Sequence, residues 1–150
     1  PTKIRKKLVI PAYSEGWKSY RGILVEIFAG GFPFDKVKKL KASLELLGEF
    51  LDNGYSVLIA PEGQYSKDGK LLSLKPGTGL MAVEFSVPVI PIKIDPSYIE
   101  IFPHMGETFA EYLPKKRKRI WIKIGKPIEF AKGTDYDEAT KIMQEALEEL

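Results

Sequence analysis

A chain of 150 residues, 44% hydrophobic and 29% charged, is long enough for one folded domain with a buried core, and its balance is that of a globular protein. The absence of Cys excludes disulfides, thiol nucleophiles and cysteine-ligated zinc, and a single His is a poor basis for a metal site, so no cofactor is expected. The net charge of +3 is mild but clustered, at residues 3–7, 36–41 and 115–119, while no apolar run approaches the ~20 residues of a membrane span and no signal peptide is visible.

In chain order, residues 7–12 predict a short strand centred on Leu8, Val9 and Ile10. Ser14 then caps a helix with Trp17, Tyr20, Leu24, Ile27 and Phe28 on one stripe, which reads as core, and Gly30-Gly31 ends it. Residues 32–34 form an extended piece that Pro33 keeps out of the middle of a sheet. Val37, Leu40, Leu44, Leu47 and Leu51 repeat at helical spacing, and Asn53-Gly54 supplies a C-cap and turn. Residues 55–59 suit a central strand covered on both faces.

After the polar loop 60–76 come a short helix over 77–85 and a strand over 89–94. Residues 96–114, with Pro96, Pro103, Gly106 and Pro114, read as irregular. Residues 120–124 alternate, with Ile120, Ile122 and Ile124 on one face and Trp121 and Lys123 on the other. Asp135 and Asp137 open a last helix whose stripe is Ala139, Ile142, Met143, Ala146, Leu147 and Leu150. Strands alternating with helices argue for a single three-layer α/β domain, with a mixed, mostly parallel sheet flanked by helices.

The most informative segment is Ala60-Pro61-Glu62-Gly63-Gln64-Tyr65-Ser66, between the apolar run Val57-Leu58-Ile59 and the helix start Lys75-Pro76-Gly77. A strand end that delivers a carboxylate, a glycine and several donors into a basic loop is suited to a polar ligand, since open α/β sheets bind ligands beyond the carboxyl ends of their strands. Plainer readings stand beside this one. Glu62 could be a structural carboxylate paired with Lys36 or Lys75, Asp35 a helix cap, and Gly63, Gly69 and Gly77 turn residues. His104, between Pro103 and Met105, reads as a loop residue. For the basic run 115–119 the readings are a solvated strand flank, or attraction to anionic lipid at ~1 kcal/mol per residue. Nucleic acid ranks last, because no stacking aromatics interleave with the charges and no recognition motif is present.

Pro61-Glu62-Gly63 with Ser66 and the downstream Lys75-Pro76-Gly77 resembles the Phe-Pro-Glu-Gly-Thr-Arg-Ser block of the glycerolipid acyltransferases, the 1-acylglycerol-3-phosphate (lysophospholipid) acyltransferase family. Two further blocks agree in order and spacing. Gly31-Phe32-Pro33-Phe34-Asp35-Lys36 resembles the Gly-x-Ile-x-Val-Asp-Arg acceptor-binding block, and Val87-Pro88-Val89-Ile90-Pro91-Ile92 resembles the Val-Pro-x-x-Pro-Val strand. Together they cover residues 28–94. The pattern is also similar to acyltransferase domains attached behind acyl-activating ligases.

The resemblance implies transfer of an acyl group from acyl-CoA or acyl-carrier protein to the hydroxyl of a lysophospholipid-type acceptor, in the cytoplasm at a peripheral membrane surface, with no metal. It implies acceptor-binding roles for Gly31, Asp35, Lys36, Glu62, Gly63, Gln64 and Ser66, with Lys67, Lys70 or Lys75 as substitute cations. The family's Arg residues are Lys36 and Tyr65 here, so the planar guanidinium forks are gone; Lys binds phosphate only as a point charge, which favours a less charged acceptor.

The family's catalytic His, four residues and then Asp, belongs upstream of the Gly31 block. His104 lies downstream of all three blocks with Phe109 five places on, so no catalytic residue of that kind is assigned here. The expectation is an acyltransferase-like domain over residues 1–150, incomplete at its N-terminus, that supplies the acceptor-binding part. The alternatives are a catalytically inactive lipid- or anion-binding module and a basic nucleic-acid-binding α/β domain.

Overall fold

The computed structural model describes residues 6–13, 30–34, 40–64, 66, 68–95 and 119–150. The chain divides into two units, Pro1–Ala60 and Pro61–Leu150, taken here in turn.

In the first unit the apolar run at Leu8 opens strand β1, Leu8–Tyr13. It runs parallel to β2, Gly31–Phe34, with Ile10 opposite Gly31 and Tyr13 opposite Phe34. On its other side β1 meets β3, Ser56–Val57, again in parallel. The strand order is β2-β1-β3. Parallel neighbours cannot be joined by a tight turn, and helix α1, Leu40–Asp52, carries the chain from one side of β1 to the other.

Two proline and glycine positions explain this arrangement. Pro33 has no N–H to give a second neighbour, and β2 stands at one end of the strand order, as the sequence predicts. Gly30 takes φ +67°, and a Cβ there would lie 2.5 Å from the Leu8 carbonyl oxygen, so only glycine lets the chain enter β2 this close to β1.

The expected central strand over 55–59 differs from what forms. Only Ser56–Val57 joins the ladder, at the other end of the described order, and β1 takes the middle. Ser56 N–H donates to the Lys7 carbonyl at 2.7 Å and Leu58 N–H to that of Val9 at 2.9 Å. Alternate amides thus face β1, and Leu58 is 40% exposed.

The C-terminus of α1 is closed by the turn that Asn53-Gly54 announces. Gly54, at φ +73°, donates its N–H to the Leu51 carbonyl at 2.9 Å, and Tyr55 N–H reaches back to the Phe50 carbonyl at 2.9 Å. This is a Schellman motif, complete with its apolar contact: the Phe50 and Tyr55 rings meet edge-on, 5.5 Å between centroids. Phe50 also packs on Phe32 of β2 at 5.1 Å. Leu47, 2% exposed, is the most enclosed side chain of α1, and buried Val9 and Phe32 belong to the same unit.

The second unit contains α2, Gly77–Glu84, then β4, Ile92–Ile94, β5, Ile122–Ile124, and α3, Tyr136–Glu148. Strands β4 and β5 are antiparallel, and one bridge between Val89 and Ile128 extends them. The predicted strand over 89–94 is therefore interrupted. Pro91 has no amide to donate, although its carbonyl accepts from Gly125 N–H at 2.9 Å. Lys93 and Lys123 sit opposite one another in the ladder, a pairing that like charges disfavour. Lys93 Nζ donates to the Glu148 carbonyl at 3.5 Å and Lys123 Nζ to that of Leu150, so the C-terminal end of α3 offsets the repulsion. Lys123 Nζ also lies 5.3 Å from the centre of the Trp121 ring, which puts those two residues on one face as predicted. The cross-strand pairs Ile92–Ile124 and Ile94–Ile122 occupy the other face and are exposed.

Asp135 and Asp137 open α3 as expected, and Asp135 also caps it, accepting from the N–H groups of Asp137 and Glu138, both at 3.0 Å. Of the predicted stripe, Ala139, Met143 and Leu147 are buried, whereas Ile142 is exposed. Met143 and Leu147 form one core cluster with Leu74 and Ala82. Helices α2 and α3 touch backbone to backbone at Gly79. Its N–H donates to Thr140 Oγ1 at 3.2 Å, and that hydroxyl donates to the Tyr136 carbonyl at 2.7 Å. A Cβ on Gly79 would overlap both the Tyr136 carbonyl oxygen and the Thr140 hydroxyl.

Replacing Gly79 by Ala should force the two helices apart and lower stability by about 2 kcal/mol, outweighing the ~1 kcal/mol gained in helix propensity. Urea unfolding followed by circular dichroism reads this as a lower midpoint with an unchanged slope; an unchanged midpoint would remove the close crossing. By the same assay Gly54→Ala should cost about 1 kcal/mol for its left-handed turn, and an increase in stability would contradict the Schellman closure.

Candidate functional site

The segment from Pro61 to Lys75 leaves the end of one apolar run and returns to its own starting point, and none of its described residues joins a sheet. Two hydrogen bonds close it. The Pro61 carbonyl accepts from Lys75 N–H at 2.9 Å. One residue further in, Glu62 Oε2 accepts from Leu72 N–H at 2.8 Å in a partly buried position. An ionised acceptor makes this second bond the stronger of the pair.

Gly63 turns the chain at the base with φ +68°. An added Cβ would come 3.4 Å from Lys75 Cγ, so the aliphatic stem of Lys75 lies against Gly63. Lys75 is thereby brought beside Glu62 and Gly63 at the neck of the loop, although more than ten residues separate it from them in sequence. Gln64 and Lys75 are exposed.

The far end of the loop is organised by Asp68. Its Oδ1 accepts from Ser66 Oγ and from Lys70 N–H, both at 3.1 Å, and Lys70 Nζ stands 3.8 Å from Oδ2. The Lys70 amide first, and then the Ser66 hydroxyl, hold the Asp68 carboxyl below its usual range. Gly69, at φ +77°, completes the turn.

The loop's return limb is seated on α3. Leu74 is buried in the core cluster, and its N–H donates to Gln144 Oε1 at 3.0 Å. Pro76 then stands at the N-cap of α2 in helical conformation, without a side-chain cap.

Among the expected site residues, Glu62, Gly63, Gln64, Ser66 and Lys75 share this loop. The Glu62 carboxylate binds the Leu72 amide rather than Lys75, and the Ser66 hydroxyl is engaged by Asp68 within the loop. Gly31 is buried in β2 of the first unit. Asp35, Lys36, Tyr65, Lys67 and His104 lie outside the described residues, as do the predicted helix over 14–28 and the segment 96–114.

The turn Lys67-Asp68-Gly69-Lys70 is visible in the sequence, but the role of the Asp68 carboxylate in it is not, and Thr140 and Gln144 are missed altogether. Nothing local marks these two, which act on residues 61 and 70 positions away. A cavity of about 420 Å³ opens elsewhere, lined by Lys7, Leu46, Glu49, Phe50, Asn53 and Tyr55. It lies at the amino-terminal end of β1, the opposite end from the one where α/β sheets bind ligands, and none of the expected residues line it.

Chemically, the loop offers the Glu62 carboxylate at a fixed neck, a second carboxylate, Asp68, at its far end, exposed lysines and a side-chain amide. After the Leu72 bond the Glu62 carboxylate keeps lone pairs for further donors, and Lys70 and Lys75 carry positive charge toward solvent. Such a set suits a ligand with hydroxyls and a negative charge. No group of acidic or histidine side chains among the described residues is arranged to hold a metal ion, and no described helix is long and apolar enough to cross a membrane.

Comparison with known proteins gives this loop a context. The family model described as Acyltransferase matches residues 3–95, well over half of the chain, and includes the whole loop. Among solved structures, the chain is similar to the crystal structure of the 1-acyl-sn-glycerophosphate (LPA) acyltransferase PlsC from Thermotoga maritima. The TM-score is 0.61 at 24% identity, over 96% of this chain and 56% of that one. The chain thus spans little more than half the length of that protein. At this identity the likeness is one of fold: an α/β architecture with a parallel sheet and flanking helices, as the sequence predicts. With its three sequence blocks all inside the matched span, the chain belongs to the acyltransferase family.

Proposed function

We propose that this chain is the acceptor-binding part of a glycerolipid acyltransferase, which moves an acyl group from acyl-CoA or acyl-carrier protein to the hydroxyl of a lysophospholipid-type acceptor at a membrane surface. The observation that carries the reading is the Glu62–Leu72 bond, which fixes a carboxylate, a bare glycine and a lysine at the neck of a loop within the family-matched span.

Acyl transfer needs a base for the hydroxyl proton, an attacked thioester carbonyl and donors for the developing oxyanion. The bond that forms joins the acceptor oxygen to the acyl carbon; the bond that breaks releases the thiol, which leaves with a proton. The base is assigned to the family's His-x4-Asp pair, expected ahead of the Gly31 block, and this chain's residues position the acceptor.

Glu62 accepts from acceptor hydroxyls with the lone pairs that the Leu72 amide leaves over. Gly63 lets the acceptor approach the backbone, and Gln64 supplies further polar contacts. Lys75, with Lys70 nearby in sequence, attracts a phosphate as a point charge. Gly31, Asp35 and Lys36 are assigned to acceptor binding from the sequence block that carries them, and Ser66 supports the loop through Asp68. Lysines in place of the family's arginines favour an acceptor of reduced charge over a doubly ionised phosphate.

The test is acyl transfer by the complete protein from its source cells, with oleoyl-CoA as donor and 1-oleoyl-lysophosphatidylcholine as acceptor. Glu62→Ala should lower kcat/KM by about 100-fold, as expected for losing a charge-assisted hydrogen bond of up to ~3 kcal/mol, with the fold retained. Glu62→Gln still offers an oxygen to the Leu72 amide and should lose about tenfold. Near-parental activity in Glu62→Ala would overturn the assignment, and lysolipid binding by a parent that never turns over would favour the inactive binding module.

Acceptor preference provides an independent check. The double variant Lys36→Arg with Tyr65→Arg restores two guanidinium groups and should raise kcat/KM for lysophosphatidate about tenfold relative to lysophosphatidylcholine. An unchanged preference would count against the pocket assignment.

A further inference from the structure

Residues 71–75 return the loop to its base without joining a strand among the described residues, and amides withdrawn from water in such a limb need partners of another kind. Leu72 N–H goes to Glu62, Lys75 N–H to the Pro61 carbonyl, and Leu74 N–H to Gln144 Oε1 at 3.0 Å. The first two partners belong to the loop. The third lies on α3, 70 positions further along the chain and beyond the family-matched span of residues 3–95.

Gln144 is held in a defined orientation. Its Nε2 donates to Glu148 Oε1 at 2.7 Å, one helical turn on. A carboxylate can only accept, so Glu148 takes the NH2 end of the amide and turns the oxygen toward Leu74. The Leu74 side chain is locked at the same place, buried at 8% exposure with Met143 and Leu147 of α3. One turn before Gln144, Thr140 receives Gly79 N–H, so α3 grips both the end of the return limb and the helix that follows it.

We infer that Gln144, oriented by Glu148, is a positioning residue for acceptor binding: through the Leu74 amide it sets where Leu72 and Lys75 stand, and hence where the Glu62 carboxylate is held. This rests on the reading proposed above for the loop. Leu74 sits between the two residues that close the neck, two positions from Leu72 and one from Lys75, so the limb cannot shift at Leu74 without moving both. The C-terminal helix thereby becomes part of the acceptor site's frame without touching acceptor, thioester or reacting atoms.

The test has two arms. In the chain itself, amide hydrogen exchange read residue by residue by NMR compares the parent with Gln144→Leu and with the swap Gln144→Glu/Glu148→Gln. Gln144→Leu removes the acceptor for Leu74 while keeping a side chain of similar size. The swap restores an oxygen toward Leu74 and an NH2 donor on the next turn.

Exchange should quicken at least tenfold at both Leu74 and Leu72 in Gln144→Leu, stay at the parental rate for Leu47 in the first unit, and return to within about twofold in the swap. Faster exchange at Leu74 alone would overturn the coupling. So would faster exchange throughout the chain, or a swap that behaves like Gln144→Leu.

In the complete protein, Gln144→Leu should raise KM for 1-oleoyl-lysophosphatidylcholine about tenfold while kcat and KM for oleoyl-CoA stay within twofold, and the swap should restore it. An equal fall in kcat with unchanged KM would contradict a positioning role. If the complete protein transfers no acyl group, the acyltransferase reading falls by that result alone, and the exchange arm still decides whether Gln144 controls the neck of the loop.

Discussion

A chain segment that leaves a fold and comes back without joining a sheet must find partners for its peptide groups one at a time. In this protein that requirement falls on the return limb of the loop between Pro61 and Lys75, and the bond from the Leu72 amide to the Glu62 carboxylate is its central solution. The same bond fixes the direction of a partly buried carboxylate side chain. It brings Gly63 and Lys75 to one neck, and the Pro61–Lys75 bond beside it sets where α2 begins. Glu62 thus has a structural role and keeps capacity for a ligand, and the two are not alternatives: a carboxylate with several lone pairs serves both.

Much of the first unit was legible because its signals are local. Pro33 has no amide for a second neighbour, and β2 lies at the end of the order. Asn53-Gly54 announces a left-handed turn, and the turn that forms satisfies two carbonyls of α1 at once. The Asp135 cap is equally local. Which strand takes the middle of the sheet is another kind of question. The runs at Leu8 and at Val57 are both apolar, and only their pairing, between segments some fifty residues apart, makes β1 the central one.

The loop shows the same division. Its position, its carboxylate and its glycine could be read from Pro61-Glu62-Gly63, but the partner of that carboxylate could not, because a backbone amide has no side-chain signature. Gly79 is the sharper case. In sequence it is one more small residue in Lys75-Pro76-Gly77-Thr78-Gly79, whereas in the structure the space above it is filled by the backbone of another helix. Pro91 interrupts a strand that apolar patterning alone would run on to Ile94, since hydrophobicity carries no information on whether an amide is there to bond.

The crossing at Gly79 has a mechanical consequence. Where two helices meet through interlocking side chains, one can roll against the other as rotamers readjust. Here a peptide carbonyl and a hydroxyl sit directly on the glycine, and there is nothing soft in between to yield. Helix α2 is riveted to α3, and the neck of the loop stands two residues from the start of α2. A ligand bound as proposed at Glu62 and Lys75 would meet a frame whose conformational freedom was surrendered when the chain folded, which would leave less entropy to lose on binding.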